Sequence, residues 1–106
     1  MNSKLRYVSF ALLVVFPSWL AAENGAASLF KSKCAMCHAE DGSGNSPAGK
    51  ALKAKDLRSQ ETQSKSDAEI SDVITKGRNK MPAFGQKLKP DQIQELVGYV
   101  RQLAKK

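Results

Sequence analysis

Residues 34–38, Cys-Ala-Met-Cys-His, constrain the fold of this chain more than any other part of its sequence. Cys34 and Cys37 are three positions apart, so on a helix both thiols can form thioether bonds to the two vinyl groups of one porphyrin. His38 follows directly and is carried beneath the ring, where an imidazole nitrogen can bind the iron. The motif therefore predicts one covalent haem c, with its iron, around which the rest of the chain must fold.

Paired cysteines also occur in thiol–disulfide redox sites and in zinc sites, and both alternatives fit this sequence less well. A thioredoxin-like pair needs a βαβ surrounding, and no stretch of the chain alternates between apolar and polar residues as a strand does. A zinc site needs about four ligands, whereas the chain contains two cysteines and one histidine. Because His38 is the only histidine, a second axial histidine from this chain is excluded.

The first 22 residues have the features of a secretory signal peptide. Lys4 and Arg6 form a positive start, an apolar stretch with one serine follows, and two alanines at positions 21 and 22 suit signal peptidase. A membrane anchor is the alternative, but the stretch from position 7 to Leu20 has 14 residues with a proline among them, against about 20 for a spanning helix. We expect residues 1–22 to be removed and residues 23–106 to form one domain without stable membrane insertion.

The expected mature segment has 84 residues, which is few for a self-sufficient core, and a covalent haem would supply the missing apolar mass. Lys4 and Arg6 are two of the chain's 17 basic residues, so the mature segment carries 15 bases, 10 acids and a net charge of +5. Two ionised haem propionates would lower this to about +3. The lysines are interleaved with acids, which argues against nucleic-acid binding. We expect a monomer.

Apolar periodicity and capping residues predict an all-α domain. Three helices are expected: residues 25–37, a segment that begins after Ser66 and ends at Gly77, and a segment from Pro90 to about residue 103. Ser66 and Glu69 form a capping box, and Gly77 suits the position after the last turn. The loop from 39 to 55 is rich in Gly, Ser and Asn, with a short helix near residues 48–53.

The sixth ligand of the iron has one candidate in this sequence. Met36 lies inside the Cys-x-x-Cys loop and is tethered on the His38 side, so it cannot reach the opposite face of the haem. Met81 follows His38 by 43 residues, in a loop between two helices, and precedes a proline. Its thioether is a soft ligand that suits low-spin iron. Core filling is the ordinary role of a methionine, but with a haem present we predict that Met81 binds the iron.

Three segments, in this order, resemble a class I c-type cytochrome: Cys-Ala-Met-Cys-His at 34–38, Gly-Arg-Asn-Lys-Met-Pro-Ala-Phe at 77–84 and Leu-Val-Gly-Tyr-Val-Arg-Gln-Leu at 96–103. The resemblance covers essentially the whole mature segment. It implies a small all-α fold of three to four helices wrapped around one covalent haem, with the first and last helices crossing. It also implies residue roles: Phe30 and Tyr99 at the crossing, Leu57 and Phe84 along the haem pocket, and Pro47 beside His38.

We interpret the chain as a periplasmic electron-transfer protein that carries one electron between redox partners on haem c ligated by His38 and Met81. Enzyme chemistry at haem iron needs an open coordination position and a polar distal group, so a closed position predicts no enzymatic activity. The alternatives are a photosynthetic-type carrier cytochrome in the thylakoid lumen and a haem-bearing donor subunit of an oxidase or dehydrogenase; a haem enzyme or gas sensor is less favoured. Lysines near the haem would steer the protein to acidic patches on its partners: Lys33, Lys50, Lys53, Lys80 and Lys87.

Overall fold

The computed structural model describes residue 9, residues 11–14 and residues 18–106. Within these residues the chain forms six helical segments and no strand: α1 (Ser18–Lys33), α2 (Ala35–His38), α3 (Pro47–Leu52), α4 (Gln60–Gln63), α5 (Asp67–Lys76) and α6 (Pro90–Leu103). The all-α prediction is confirmed. The three helices of ten residues or more, α1, α5 and α6, correspond to the three helices expected from apolar periodicity.

The core lies where α6 packs against α1 and α5. Apolar side chains recur three and four positions apart along α6, so one face of this helix is buried: Ile93, Leu96, Val97, Val100 and Leu103. From α1, the side chain of Phe30 is only 2% exposed, and its ring centroid lies 5.0 Å from that of Tyr99. The predicted crossing of the first and last helices at these two aromatic residues is confirmed.

Local signals set both ends of α5. The Ser66 hydroxyl accepts a hydrogen bond from the Glu69 N–H at 3.1 Å, and the Glu69 carboxylate accepts one from the Ser66 N–H at 3.3 Å, as predicted. At the other end, Gly77 has a φ of +75°, and a Cβ there would lie 2.7 Å from the carbonyl oxygen of Met81. Glycine is therefore required where the chain leaves α5 and enters the loop that contains Met81.

The structure differs from the sequence expectations at two helices. The helix predicted over residues 25–37 is interrupted at Cys34, which separates α1 from α2. Helix α4 was not expected, because its four residues are too few for an apolar period; the Ser59 hydroxyl caps it by accepting from the Thr62 N–H.

Most of the predicted signal peptide, residues 1–22, lies outside the described residues, and its removal stays a prediction. The helix α1 begins at Ser18 and runs through Ala22, after which cleavage is expected. No helix in the described part of the chain is long and apolar enough to cross a membrane.

Candidate haem site

The end of α1 and the single turn of α2 position the Cys-Ala-Met-Cys-His motif. The Cys34 N–H donates to the Phe30 carbonyl at 2.8 Å, as in a continuing helix, but the Cys34 φ of −118° turns the chain before α2 begins. The His38 N–H then donates to the Cys34 carbonyl at 2.9 Å. Both cysteines and the histidine are thus held on one turn of backbone that is tied to the core through Phe30.

The following loop and α3 support this turn from outside. The single proton of the Ser46 hydroxyl is shared between the carbonyl oxygens of Met36, at 2.6 Å, and Cys37, at 2.9 Å, and the hydroxyl oxygen accepts from the Gly49 N–H at 2.9 Å. Carbonyl groups at the end of α2, which lack helical partners, are thereby satisfied. A Cβ on Gly49 would overlap the carbonyl oxygens of Cys37 and Gly44. The close approach of α3 to the motif therefore depends on glycine at position 49.

The imidazole of His38 is oriented by a backbone carbonyl. Its Nδ1 lies 2.9 Å from the carbonyl oxygen of Lys55. Because a carbonyl can only accept, Nδ1 carries a proton, and in the neutral imidazole Nε2 then keeps the lone pair that a metal ion needs. The residue that holds this ring nitrogen is Lys55. Pro47 begins α3, and its position beside His38, which the resemblance implied, stays a prediction.

Both cysteines are free, half-buried thiols. Burial raises the pKa of the Cys34 thiol to about 11, and the neighbouring Cys37 adds to the increase. Cys34 also packs against the apolar core. At Cys34 this burial disfavours the thiolate and suits a neutral thioether sulfur.

Backbone hydrogen bonds hold the loop that contains Met81. Arg78 and Met81 form an isolated antiparallel bridge, in which the N–H of each donates to the carbonyl of the other, at 3.2 and 2.9 Å respectively. The Phe84 N–H donates to the Ile74 carbonyl at 2.9 Å, which ties the loop to the end of α5. The Met81 side chain is half-buried and packs against the core. The backbone position of Met81 is therefore set by hydrogen bonds on both sides of this residue.

The residues present fit a haem c. Two half-buried thiols and an imidazole with an available Nε2 lie on one turn, and the hydrogen-bonded Met81 loop offers a neutral thioether sulfur. Apolar surroundings are supplied by Phe84, which is buried, and by Leu57, which packs partly buried against the same core. These are the donor types that covalent attachment and axial ligation of a haem require.

Sequence reasoning missed three contacts that shape this site. The carbonyl of Lys55 was not found, because a main-chain acceptor is not marked by any residue type. The Ser46 hydroxyl was not found either, although a serine directly before the Pro that starts a short helix is a capping signal. The Gln63 side chain, which donates to the Leu57 carbonyl at 2.7 Å, carried no sequence signal.

Known proteins that are similar to this chain include c-type cytochromes. The family described as "Cytochrome C oxidase, cbb3-type, subunit III" matches residues 21–100. A cytochrome c6 of Thermosynechococcus vestitus is 42% identical over 103 residues, covering 93% of this chain and 88% of that protein. A cytochrome c6 of Nostoc sp. is 40% identical over 84 residues, covering 79% and 73%.

Relatives of a second kind, and a solved structure, match as well. The cbb3-type cytochrome c oxidase subunit FixP of Azorhizobium caulinodans is 40% identical over 85 residues, which are 78% of this chain but 27% of that protein. The structure of the KustC0563 c-type cytochrome matches with a TM-score of 0.68 and 31% identity, covering 74% of this chain and 95% of that one.

The chain belongs to the small class I c-type cytochromes. Its cofactor is a covalently bound haem c with iron, and its function is electron transfer through that haem.

Proposed function

We propose that this protein carries single electrons between redox proteins, with Cys34 and Cys37 bound covalently to the haem and His38 and Met81 as axial ligands of its iron. The observation that carries the proposal is the hydrogen bond from His38 Nδ1 to the Lys55 carbonyl, because it leaves Nε2 available next to two half-buried thiols. When bound, the haem supplies an iron that changes between ferrous and ferric states.

The protein residues then have separate tasks. The two cysteines prevent loss of the haem, since thioether bonds do not dissociate. His38 is kept in one tautomer and one orientation by Lys55. Met81 is a soft, neutral ligand, which raises the potential of the iron relative to two imidazoles. The bridge between Arg78 and Met81 restrains the distal loop, so that little rearrangement need accompany each electron.

We favour a carrier over a haem enzyme. The only histidine of the chain is assigned as one ligand of the iron, and Met81 as the second would leave no coordination position open to substrates. The Met81 loop contains no acid and no second histidine that could move protons at the iron. His38 and Met81 would therefore both be used to bind the iron, and no catalytic residue is assigned.

Two segments around the proposed haem carry bases and no acids. Residues 42–55 contain three lysines, and residues 77–90 contain one arginine and three lysines. Lys55 pairs with Glu61 at 3.2 Å. The other six bases of these segments are all exposed, and none of them takes part in an ion pair within the described residues: Lys50, Lys53, Arg78, Lys80, Lys87 and Lys89. We propose that these two basic segments dock on acidic patches of the redox partners.

The setting of the carrier is proposed from the predicted leader and from the relatives. Residues 1–22 predict export, with the periplasm as the favoured compartment and the thylakoid lumen as the alternative. The relatives include proteins named cytochrome c6 and an oxidase subunit. A diffusible monomeric carrier is our main proposal, and a donor domain of a cbb3-type oxidase is the second, favoured by the family match over residues 21–100.

Replacement of the distal ligand tests carrier against enzyme. The ferric wild type should show the weak far-red band of a methionine-ligated haem, and Met81→Ala should lose it while keeping the haem through its thioether bonds. Ferrous Met81→Ala should bind carbon monoxide readily and the wild type poorly. Met36→Ala is the matched control, because Met36 is 78% exposed on the proximal side, and it should behave like the wild type. Ready binding of carbon monoxide by the wild type would mean an open distal position and would contradict the carrier proposal.

Salt dependence tests the basic segments. Electron transfer to an acidic partner protein should slow as ionic strength rises, because screening shortens the field of exposed charges to about 8 Å at physiological salt. The double variant Lys50→Gln/Lys80→Gln should reduce the rate at low salt and flatten its salt dependence. Lys76→Gln is the control, since Lys76 is paired with Asp72 at 2.9 Å. A rate independent of salt in the wild type would refute electrostatic docking.

A further inference from the structure

A short segment on the proximal side of the site is held by hydrogen bonds at both ends. We call residues 54–57 the proximal strap, because its Lys55 carbonyl accepts the hydrogen bond from His38 Nδ1. At one end the Ala54 N–H donates to the Gly49 carbonyl at 2.8 Å, and at the other the Leu57 N–H donates to the Gly42 carbonyl at 2.8 Å. The strap has no regular secondary structure of its own, so these bonds fix where the Lys55 carbonyl lies.

One side chain joins the strap to the last helix. The Gln63 amide nitrogen donates to the Leu57 carbonyl at 2.7 Å and to the Val100 carbonyl at 3.1 Å. An amide NH₂ group has two hydrogens, so each carbonyl receives one. Val100 belongs to the last turn of α6, where carbonyl groups lack helical partners. Gln63 therefore satisfies two main-chain acceptors from segments that are far apart in the sequence.

The orientation of this amide is set by Arg101. The guanidinium Nη1 donates to the Gln63 backbone carbonyl at 2.9 Å and to its side-chain oxygen at 3.3 Å. The same guanidinium donates to the Lys65 carbonyl at 2.6 Å and to the Asp67 carboxylate at 2.9 Å. Since Arg101 can only donate, the Gln63 oxygen must face it, and the amide nitrogen must face the strap and α6.

We propose that Gln63, oriented by Arg101, is a positioning residue for the proximal ligand: it holds the strap and so keeps the Lys55 carbonyl on His38. The inference rests on the proposed binding of iron by His38. A hydrogen bond at Nδ1 makes an imidazole a more basic ligand, which stabilises ferric iron relative to ferrous iron. Loss of the Gln63 bonds should loosen the strap, weaken this donation and shift the iron towards the ferrous state.

The sign of the change in reduction potential distinguishes this role from a general loosening of the structure. A less basic His38 favours the ferrous iron, so the reduction potential rises. Entry of water into a loosened haem pocket favours the more highly charged ferric iron, so the potential falls. A side chain that only stabilised the fold would leave the bond at His38 Nδ1 unchanged.

The test uses the holoprotein with Gln63→Met, which keeps the side-chain length and removes both donors. In the ferrous protein, exchange of the His38 Nδ1 proton measured by NMR should be about tenfold faster, and the equilibrium with a reference redox couple should shift about threefold towards the ferrous form. Gln60→Met is the matched control, because Gln60 lies exposed on the same short helix, and it should change neither quantity. Arg101→Leu should change both quantities in the same direction. The double variant should change them by less than the sum of the two single variants, because both substitutions act through the Gln63 amide.

Three outcomes would overturn the inference: unchanged proton exchange and potential in Gln63→Met, a fall in potential, or full additivity with Arg101→Leu. If Gln63→Met yields no folded protein, Arg101→Leu alone decides by the same two measurements. Failure of the proposed function is seen separately, in the wild type. A wild-type protein without the far-red band of methionine ligation, or His38→Ala with an unaltered haem spectrum, would refute the ligand assignment itself.

Discussion

Replacing Gly49 with alanine tests whether α3 must touch the backbone of the haem-binding motif. The added Cβ would overlap the carbonyl oxygens of Cys37 and Gly44, and it would lie 2.9 Å from the Ser46 hydroxyl oxygen. The two carbonyls are backbone groups and cannot rotate away as a side chain can. We therefore expect α3 to move away from α2 in this variant.

The cost follows from two contributions. Overpacking of a dense site costs about 1–3 kcal/mol. Separation of the two helices also loosens the hydrogen bond whose single Ser46 hydroxyl proton is shared between the carbonyl oxygens of Met36 and Cys37, worth about 0.5–1.5 kcal/mol. Alanine recovers about 1 kcal/mol through its greater helix propensity. We expect Gly49→Ala to lower the free energy of unfolding of the holoprotein by about 2 kcal/mol, a substantial share of the roughly 5–15 kcal/mol of a small domain.

Denaturant unfolding of the holoprotein, followed by helix circular dichroism and haem absorbance, measures this change. Gly98→Ala is the matched control, because Gly98 is an exposed position of α6 and nothing lies within 4 Å of an added Cβ. The control should gain about 0.5–1 kcal/mol from helix propensity alone. The two substitutions thus have opposite expected signs. If the two variants were equally stable, or if Gly49→Ala were as stable as the wild type, the close contact between α3 and the motif would be refuted.

Two further predictions concern local contacts. Ser66→Ala should cost about 1 kcal/mol of unfolding free energy, because it removes the hydroxyl that caps the Glu69 N–H of α5; an unchanged denaturation midpoint would contradict it. The Arg58 guanidinium, by hydrogen bonding to Asp56, lowers the pKa of that carboxyl, so the pair stabilises the fold at neutral pH and this contribution is lost as pH falls through the lowered pKa. Arg58→Ala should therefore be less stable than the wild type at neutral pH and equal to it in strong acid; a difference that persists in strong acid would contradict this linkage.

The features that were predictable from the sequence depend on contacts between near neighbours. The capping box joins Ser66 and Glu69, three positions apart, and the glycine that ends α5 follows its last turn directly. The apolar residues of the buried face of α6 recur every three or four positions, so the sequence predicts this face directly. The Cys-x-x-Cys-His motif is equally local. These interactions need no knowledge of how distant segments meet, and the structure confirms the helices they predict.

What surrounds the motif was decided only by the tertiary structure. The acceptor for His38 is a main-chain oxygen 17 residues away, and the partner of the Gln63 amide in α6 lies 37 residues away. Every residue has a backbone carbonyl, so no residue type indicates which carbonyl will accept a given hydrogen bond. The break at Cys34 could not be predicted either, because the apolar periodicity of α1 does not change at the point where the chain turns into α2.

The sequence by itself therefore determined the three longest helices, the family and the candidate ligands, since each depends on residue types at short, fixed spacing. Only the tertiary structure decided which carbonyl orients His38, why position 49 must be glycine, and how Gln63 and Arg101 join the proximal strap to α6. These contacts exist because the loops and short helices between α2 and α5 fold back onto the motif and onto α6, which brings distant backbone groups within hydrogen-bonding distance, where buried polar groups must find partners.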